Sequence, residues 1–470
     1  MESSREVQIF DELNINFDNL VNSSLDVFED CILIINMNNK EKLNEYIKQS
    51  LVKEPKIVIT STNCDIEAKN IIKFENYDDI FNHALKKMYP EYISKNFYGL
   101  TGTNGKTTTG HYLKQLLGKK ALFIGTTESN LFKSVTKEEH LTTPKLFNIF
   151  KLLRSKEYSN INDIVLEVSS HALDQNRVGN IKFLVSGFTN LSQDHFDYHK
   201  NIENYFKAKK KLFNKKLSMK YVYINNEWGK RINQEVDNKS HSIGFDKDND
   251  VSISEIDKKN NKTSITFTIE RNEYIVELPF IGPNAELNYL LAFGMAYYSD
   301  KLSIKQIISN TQNITNPKGR FEMIPYEENK IFIDYAHTPA AVNEAIQVVS
   351  DKYDKVVVII GAGGNRDIQK RKLMGNAANK ADEIIITNDN PRKEDPMFIA
   401  KEILSGVDLN KKVEIILDRK KAIKKGLESL RGNSVLLVLG KGHEKVQELE
   451  SGSVEFNDSE IVKKIIKDMK

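Results

Sequence analysis

At 470 residues the chain is too long for one hydrophobic core, and the usual length prior gives about three domains. Its 68 basic and 65 acidic residues leave a net charge of +3, a near balance that argues against a nucleic-acid or membrane-surface partner. The only two cysteines, Cys31 and Cys64, stand at no metal-ligand spacing, which fits a reducing compartment and excludes a disulfide framework.

The start, Met1-Glu-Ser-Ser-Arg-Glu-Val, is charged, and no apolar run approaches the length of a membrane span or a signal core. These features predict a cytoplasmic protein. Residues 1–97 hold short apolar runs at 31–35 and 56–60, separated by a helical pattern over 42–51, and read as a small α/β unit. Asn22-Ser23-Ser24 reads as a phosphate-binding turn or as an ordinary helix cap.

After the apolar run 97–100 comes Thr101-Gly-Thr-Asn-Gly-Lys-Thr-Thr108, followed by a helical pattern through Leu113, Leu116 and Leu117. Gly102 and Gly105 let backbone N–H groups crowd onto an anion. Lys106 can reach terminal phosphates, Thr107 can hold Mg²⁺, and the helix N-terminus adds its dipole. The Walker spacing fails by one residue, because Leu100 stands where its first glycine is expected.

From 98 to 316 strands alternate with helices, the pattern of a doubly wound parallel sheet, whose ligands gather at the carboxyl ends of the strands. One buried-strand run delivers Glu167, Ser169 and His171, and another delivers Asn190, Asp194, His195, Asp197 and His199. After a phosphate loop, Glu167 reads as a Mg²⁺ ligand, with a simple cap as the bland alternative. The His/Asp cluster admits a zinc reading, but the phosphate loop already accounts for a hard metal. Thr142-Thr143-Pro144 is by itself a common turn. Alternating residues over 239–276 predict a β-meander inserted before a helix at 288–298.

A third unit begins near Pro317, with strand candidates at 331–334, 356–360, 383–387, 413–417 and 435–439 separated by helical patterns. Four of these strands run into polar or glycine-rich ends: Asp334-Tyr-Ala-His-Thr-Pro339, Gly361-Ala-Gly-Gly-Asn-Arg-Asp367, Asn388-Asp-Asn-Pro-Arg392 and Gly440-Lys-Gly-His-Glu444. Any one of them can be a plain turn. Four on one sheet edge, with Arg366 and Arg392 among them, predict a site for an anionic small molecule.

The glycine-lysine loop, Glu167-Val-Ser-Ser-His171, Asn190-Leu-Ser-Gln-Asp-His-Phe-Asp-Tyr-His199, Asp334-Tyr-Ala-His-Thr-Pro339 and Asp389-Asn-Pro-Arg392 together resemble the Mur ligases of peptidoglycan synthesis, in particular those adding the third peptide residue. The resemblance runs in order from about 98 to 458 and is loose before that. It implies an α/β protein of three domains: a uridine-nucleotide domain at 1–97, a central P-loop doubly wound domain with a small β insertion at 98–316, and a C-terminal Rossmann-like amino-acid domain at 317–470. It also implies an ATP-dependent, ADP-forming ligase that phosphorylates the D-glutamate carboxylate of UDP-N-acetylmuramoyl-L-alanyl-D-glutamate. The amine of meso-diaminopimelate then attacks, with Mg²⁺ as cofactor and ATP as co-substrate. L-lysine or another diamino acid is the alternative substrate, and a nucleotide-binding protein without ligase activity the alternative class. A folate or cyanophycin type of ligase is disfavoured by the Asp389-Asn-Pro-Arg392 stretch.

Carried over by that resemblance, Gly102, Thr103, Asn104, Gly105, Lys106, Thr107 and Thr108 hold ATP phosphates. Asn288, Arg320, Asp334 and His337 contact the rest of the nucleotide. Thr107, Glu167, His195 and Lys209 as a carbamate serve Mg²⁺, with Lys106, Lys209 and His195 catalytic. Thr142, Thr143, Ser169, Gln175 and Arg177, with Ser23 from the first domain, bind the muramoyl-dipeptide. Arg366, Asp389, Asn390, Pro391, Arg392, Gly440 and Glu444 form the diaminopimelate pocket. For Arg392 the bland alternative is a helix cap or an ion pair with Glu394. Lys207, Lys210 and Lys211 read as a solvated helix face. The family's Gly-x-Phe-Asn-x-x-Asn stands here as Gly282-Pro-Asn-Ala-Glu-Leu-Asn288, so its Phe-Asn pair is missing. A monomer acting on small molecules is expected.

Overall fold

The computed structural model describes residues 5–37, 39–137, 141–179 and 181–469, so the charged start at 1–4 lies outside the described residues. The chain forms two compact units, one of Met1–Phe97 with Lys120–Lys182 and one of Tyr98–Lys119 with Phe183–Lys470. These bounds differ from a simple cut at 97 and 316, because residues 120–182 group with the N-terminal segment and 317–470 with the glycine-lysine loop.

In the first unit, strands Leu20–Val21, Ile32–Ile34, Ile57–Ser61 and Ile71–Phe74 pair in that order, all parallel. Parallel strands need crossovers, and helix Lys40–Leu51 supplies one, burying Leu43 and Ile47 against Val21, Leu33 and Val58. Both cysteines are free and belong to this core. Ala121–Ile124 and Asp163–Glu167 form a further parallel pair.

In the second unit one sheet runs in the order Asn272–Leu278, Lys262–Ile269, Val251–Lys259, Lys239–Gly244, Lys220–Ile224, Phe183–Phe188 and Asn96–Thr101. The predicted meander is antiparallel only from 251 to 278, whereas Lys239–Gly244 pairs in parallel with Lys220–Ile224 and extends the parallel part. The helix expected at 288–298 spans Ala285–Tyr297, a turn earlier, opened by Asn284 in the left-handed conformation (φ 48°). Asparagine tolerates that conformation, so the start signal was an αL residue rather than a Ser/Thr/Asp cap. This helix is apolar all round and buried, and a Cβ on Gly187 would stand 2.5 Å from Met295 Sδ, so that glycine lets the helix lie close on the sheet.

The second sheet has six strands in the order Glu322–Tyr326, Asn329–Asp334, Ser434–Leu439, Lys355–Ile360, Glu383–Ile386 and Lys412–Ile415, parallel except for the first pair. Its strands are apolar runs because both faces are covered. Val356, Val358 and Ile360 pack with helices Pro339–Ser350 and Pro396–Leu404, while Val357 and Ile359 pack with helices Arg419–Glu428 and Asp458–Met469. Parallel order puts the segments after Asp334, Ile360, Ile386 and Leu439 on one edge, as the sequence predicted. A buried ion pair fastens that edge: Arg419 Nε and Nη2 donate to Asp458 at 2.8 and 2.7 Å, and its guanidinium also donates to the carbonyls of Asn388 and Leu439. Both side chains are fully buried, so removing one partner would strand a charge. Among the described residues no helix is long and apolar enough to cross a membrane.

Candidate functional site

The glycine-lysine loop sits between strand Asn96–Thr101 and helix Lys106–Leu117, as its chemistry requires. Gly102 (φ 152°) and Gly105 (φ 86°) take backbone angles that side chains avoid, and a Cβ on either would collide with Thr189 Oγ1 at 1.8 Å or Asn288 Oδ1 at 2.4 Å. Asn104 N donates to Asn190 Oδ1 at 3.0 Å, and Thr189 Oγ1 donates to the Asn104 carbonyl at 2.6 Å, so the segment after Phe188 braces the loop. Lys106 Nζ donates to the Gly102 and Thr103 carbonyls at 3.0 and 2.8 Å. Thr107 Oγ1 accepts from Arg320 Nη2 at 3.1 Å.

Beside the loop lies a charged cluster centred on Asp194. Its buried carboxylate stands 3.5 Å from Lys370 Nζ, 3.5 Å from His195 Nε2 and 3.8 Å from His337 Nε2. Burial opposes its ionisation, yet the His337 ring, Lys370 and His195 overcome this and hold the carboxyl well below the usual range. His195 has a left-handed backbone (φ 56°) at the head of helix Phe196–His199, a strained position of the kind that collects at functional sites. Lys209, fully buried on helix Ile202–Lys210, donates from Nζ to the Gly102 carbonyl at 2.7 Å and lies 4.4 Å from the Tyr205 ring centroid. Burial first, and then the charge of Lys106, pull its ammonium well below the ordinary lysine range, against Asp194. Its neighbour Lys210 pairs with Glu235 at 2.6 Å on the helix surface.

A cleft opens next to the loop and brings together Asn104, Gly105 and Thr108 with Asn288, Arg320, Asp334 and His337. The atypical stretch Gly282, Pro283, Asn284 and Ala285 forms part of its wall. Arg320 lies 4.3 Å from the Tyr335 ring centroid, and its Nε is buried without a hydrogen bond. Burial pushes the Asp334 carboxyl up, against Arg320 and the backbone N–H groups of Phe321 and Ala336.

His111, on the same helix as Lys106, is pulled down to about 4 by burial, with Lys114 and Arg320 adding to it. The unfolded chain, with an imidazole near about 6.5, takes up that proton first, so stability should fall as pH drops from about 6.5 towards about 4. The loss should reach up to roughly 3 kcal/mol, and melts of His111→Gln should show a correspondingly flatter profile over this window. Parallel profiles for wild type and variant would show that another group carries the dependence.

The first unit holds its own set. Thr143 Oγ1 donates to the Glu167 carbonyl at 2.8 Å and accepts from Ser169 N at 2.9 Å, and Arg177 Nη1 donates to the Thr143 carbonyl at 3.4 Å. Arg177 also donates from Nε to Gln175 Oε1 at 2.8 Å, and the Thr126 and Thr142 hydroxyl oxygens lie 3.3 Å apart. Glu167 is fully buried, and among the described residues its carboxylate accepts only from Thr126, through N at 3.2 Å and Oγ1 at 3.1 Å. A buried carboxylate with no cationic side chain beside it suits a cation ligand, and its hard oxygens suit Mg²⁺. Ser23 caps the short helix Ser24–Asp26, its Oγ accepting from Leu25 N at 3.3 Å, which is the helix-cap reading of that turn. Among the described residues no three His, Cys, Asp or Glu side chains are grouped to hold a metal by themselves.

On the edge of the second sheet, Lys441, fully buried, donates to Asn390 Oδ1 at 2.9 Å and Glu444 Oε2 at 2.8 Å, and Asn390 Nδ2 donates to the same Glu444 oxygen. Gln447 Nε2 donates to the Asp389 carbonyl at 2.7 Å. A Cβ on Gly440 (φ 111°) would lie 2.4 Å from Asp389 Oδ2, so a glycine lets Asp389 come close. Arg392 pairs with Glu448, Nε to Oε2 at 2.6 Å, while Glu394 is taken by the buried Arg371. With Pro391, Pro396 and Leu449 it lines an open cleft. Arg366 is exposed on the loop after Ile360. Residues the sequence reading passed over are thus Lys370, Arg371, Lys441 and Glu448, each of which resembled a solvated surface charge or an unassigned polar residue, while Asp194 was read only as a member of the His/Asp cluster.

The chain matches the Mur ligase middle domain over residues 100–296 and the Mur ligase glutamate ligase domain over residues 319–442. It is 37% identical over 438 residues to the UDP-N-acetylmuramoyl-L-alanyl-D-glutamate--2,6-diaminopimelate ligase of Rickettsia montanensis, covering 90% of each chain. The ligase of the same name from Aquifex aeolicus is 37% identical over 394 residues, covering 82% of this chain and 81% of that one. Among solved structures, a ligase of that name superposes with a TM-score of 0.64 at 24% identity, over 96% of this chain and 94% of that one. A MurF ligase from Thermotoga maritima in complex with ADP gives 0.65 at 16% identity, over 96% and 97%. At these identities the structural likeness concerns the fold.

Proposed function

The chain belongs to the Mur ligase family, and from that premise we propose that it is an ATP-dependent, ADP-forming amide ligase joining meso-diaminopimelate to UDP-N-acetylmuramoyl-L-alanyl-D-glutamate in peptidoglycan synthesis. The observation that carries this reading is the likeness, over nine-tenths of both lengths, to a ligase named for that reaction. It acts as a cytoplasmic monomer on small-molecule substrates, with segments 1–97, 98–316 and 317–470 serving the uridine nucleotide, ATP and the amino acid.

A carboxylate is a poor electrophile at neutral pH. Passing the γ-phosphoryl group to the D-glutamate carboxylate gives it a leaving group, and the incoming amine then displaces phosphate to form the amide. Residues 102–108 cradle the phosphates through backbone N–H groups, the Thr107 and Thr108 hydroxyls and Lys106, while Asn288, Arg320, Asp334 and His337 hold the rest of the nucleotide. Thr142, Thr143, Ser169, Gln175 and Arg177 orient the dipeptide, and Ser23 contributes from the first segment. Thr107, His195, Glu167 and carbamylated Lys209 would hold Mg²⁺, whose charge would offset that of the phosphates. Arg366, Asp389, Asn390, Pro391, Arg392, Gly440 and Glu444 receive the amino acid.

Lys209 is suited to carbamylation because its burial favours the neutral amine, and only the neutral amine takes up CO₂. Lys209→Ala should lose roughly 10²- to 10³-fold in turnover and regain part of it with acetate. A fully active Lys209→Arg would remove the carbamate from the mechanism. The reading as a whole is tested by phosphate release from ATP with the UDP-muramoyl-dipeptide and a panel of amino acids. Tight ATP binding without phosphate release on any member would favour a nucleotide-binding protein instead.

A further inference from the structure

Arg392 is held twice over. Its backbone N donates to the Glu448 carbonyl at 3.1 Å in a left-handed conformation (φ 54°), and Nη1 donates to the Gly364 carbonyl at 2.9 Å. A Cβ on Gly363 would stand 3.0 Å from that same Nη1, so a bare loop backbone lets the guanidinium settle there. The Glu448 carboxylate adds an ion pair at Nε, 2.6 Å away, but it is not what orients the arginine. The Glu448 side chain is 43% exposed against 25% for Arg392, so the acid sits on the rim with room to turn into water.

We propose that the Glu448 carboxylate competes with the distal carboxylate of the substrate for Arg392, so that Glu448 helps set how sharply the pocket separates a diamino dicarboxylate from a diamino monocarboxylate such as lysine. The inference rests on the reading that Arg392 receives that distal carboxylate. An arginine already neutralised at Nε attracts a second anion less, and a carboxylate brought to its free edge also meets the like charge of Glu448. At such separations, in a partly exposed site, one unit charge changes affinity by roughly fivefold to tenfold. A distal ammonium alone is repelled less by the Arg392–Glu448 pair than by a bare arginine. Glu448 therefore raises the requirement for the dicarboxylate and lowers the barrier to lysine.

Glu448→Gln keeps the shape and removes the charge. The backbone contacts of residue 448, its carbonyl to Arg392 N and its N–H to Asn390 Oδ1 at 3.0 Å, do not involve the side chain, so the loop should persist. Steady-state kinetics of wild type and variant with meso-diaminopimelate and with L-lysine decide the matter, and Glu448→Ser, checked by thermal melting, serves as an independent second variant. The expected result is a KM for meso-diaminopimelate lower by about fivefold to tenfold, an unchanged or higher KM for lysine, and kcat and the KM for ATP within about twofold. A raised KM for meso-diaminopimelate would overturn the proposal in favour of Glu448 orienting Arg392. Equal shifts for both amino acids, or none, would overturn it as well. Failure of the underlying reading looks different: Arg392→Ala would keep the wild-type KM for meso-diaminopimelate, or wild type itself would not turn that amino acid over.

Discussion

Lys106→Ala should lose about 10³-fold or more in ligation while keeping its fold, the scale seen when a cation that follows a transferring phosphoryl group is removed. Lys106 is the only charged residue of the loop, and Nζ already reaches the concave run of carbonyls at Gly102 and Thr103. A phosphate oxygen is a stronger acceptor for an ammonium than a peptide carbonyl, so the same side chain can pass from loop to ligand without a change of helix position. A second consequence follows from the charge that Lys106 places near Lys209. Since Lys106 helps to pull Lys209 down, its removal lets the Lys209 amine hold its proton more firmly and disfavours carbamylation. Lys106→Ala should therefore be rescued less by acetate than Lys209→Ala is. Near-normal turnover in Lys106→Ala, with unchanged circular dichroism, would take the loop out of the mechanism.

What could be read from the sequence was what local chemistry dictates. The glycine-lysine loop announces itself because its two glycines, lysine and threonines must be contiguous to wrap one anion, and the four polar strand ends of the second sheet share an edge because parallel order leaves no other arrangement. What was not legible depends on contacts between distant segments. Lys370 stands in Gln-Lys-Arg-Lys, which has the look of a solvated helix face, yet Lys370 is buried against Asp194 and the next residue, Arg371, is fully buried between Glu394 and Glu402. Lys441 likewise has the composition of a turn and the burial of a core residue, since it pairs with the Glu444 carboxylate and donates to the Asn390 side-chain carbonyl. The helix after the Gly282 stretch was placed three residues late because a left-handed asparagine, Asn284, opens it. The partner of Arg392 was misplaced by sequence proximity: Glu394 lies two residues away, but the hairpin strand Val446–Leu449 brings Glu448 to it.

Wild-type enzyme should prefer meso-diaminopimelate to L-lysine by about 10³-fold or more, and Arg392→Ala should lose most of that preference. The two amino acids differ by one carboxylate on the distal carbon, so a pocket that separates them needs a cation placed for that group. Arg392 supplies a planar guanidinium whose position is over-determined: proline precedes it, its own φ is positive, and the Gly364 carbonyl holds Nη1. Its protein partners take Nε and Nη1, and Arg392 helps line the cleft beside Leu449, where a carboxylate would meet the edge of the fork that bears Nη2. Lysine offered to this site leaves that edge unmatched and sets an ammonium beside a guanidinium, and polar recognition of this kind reaches roughly 10⁴ in discrimination. Glu448 already pairs with the arginine at Nε, which is why a preference nearer about 10³-fold than about 10⁴-fold is expected. The loss in Arg392→Ala should appear as a raised KM for the amino acid with the KM for ATP unchanged, because the cleft proposed for ATP is lined by Arg320 and Asp334 and not by this loop. Comparable use of L-lysine by the wild type would refute the assignment, whereas use of lanthionine, which keeps the distal carboxylate, would agree with it.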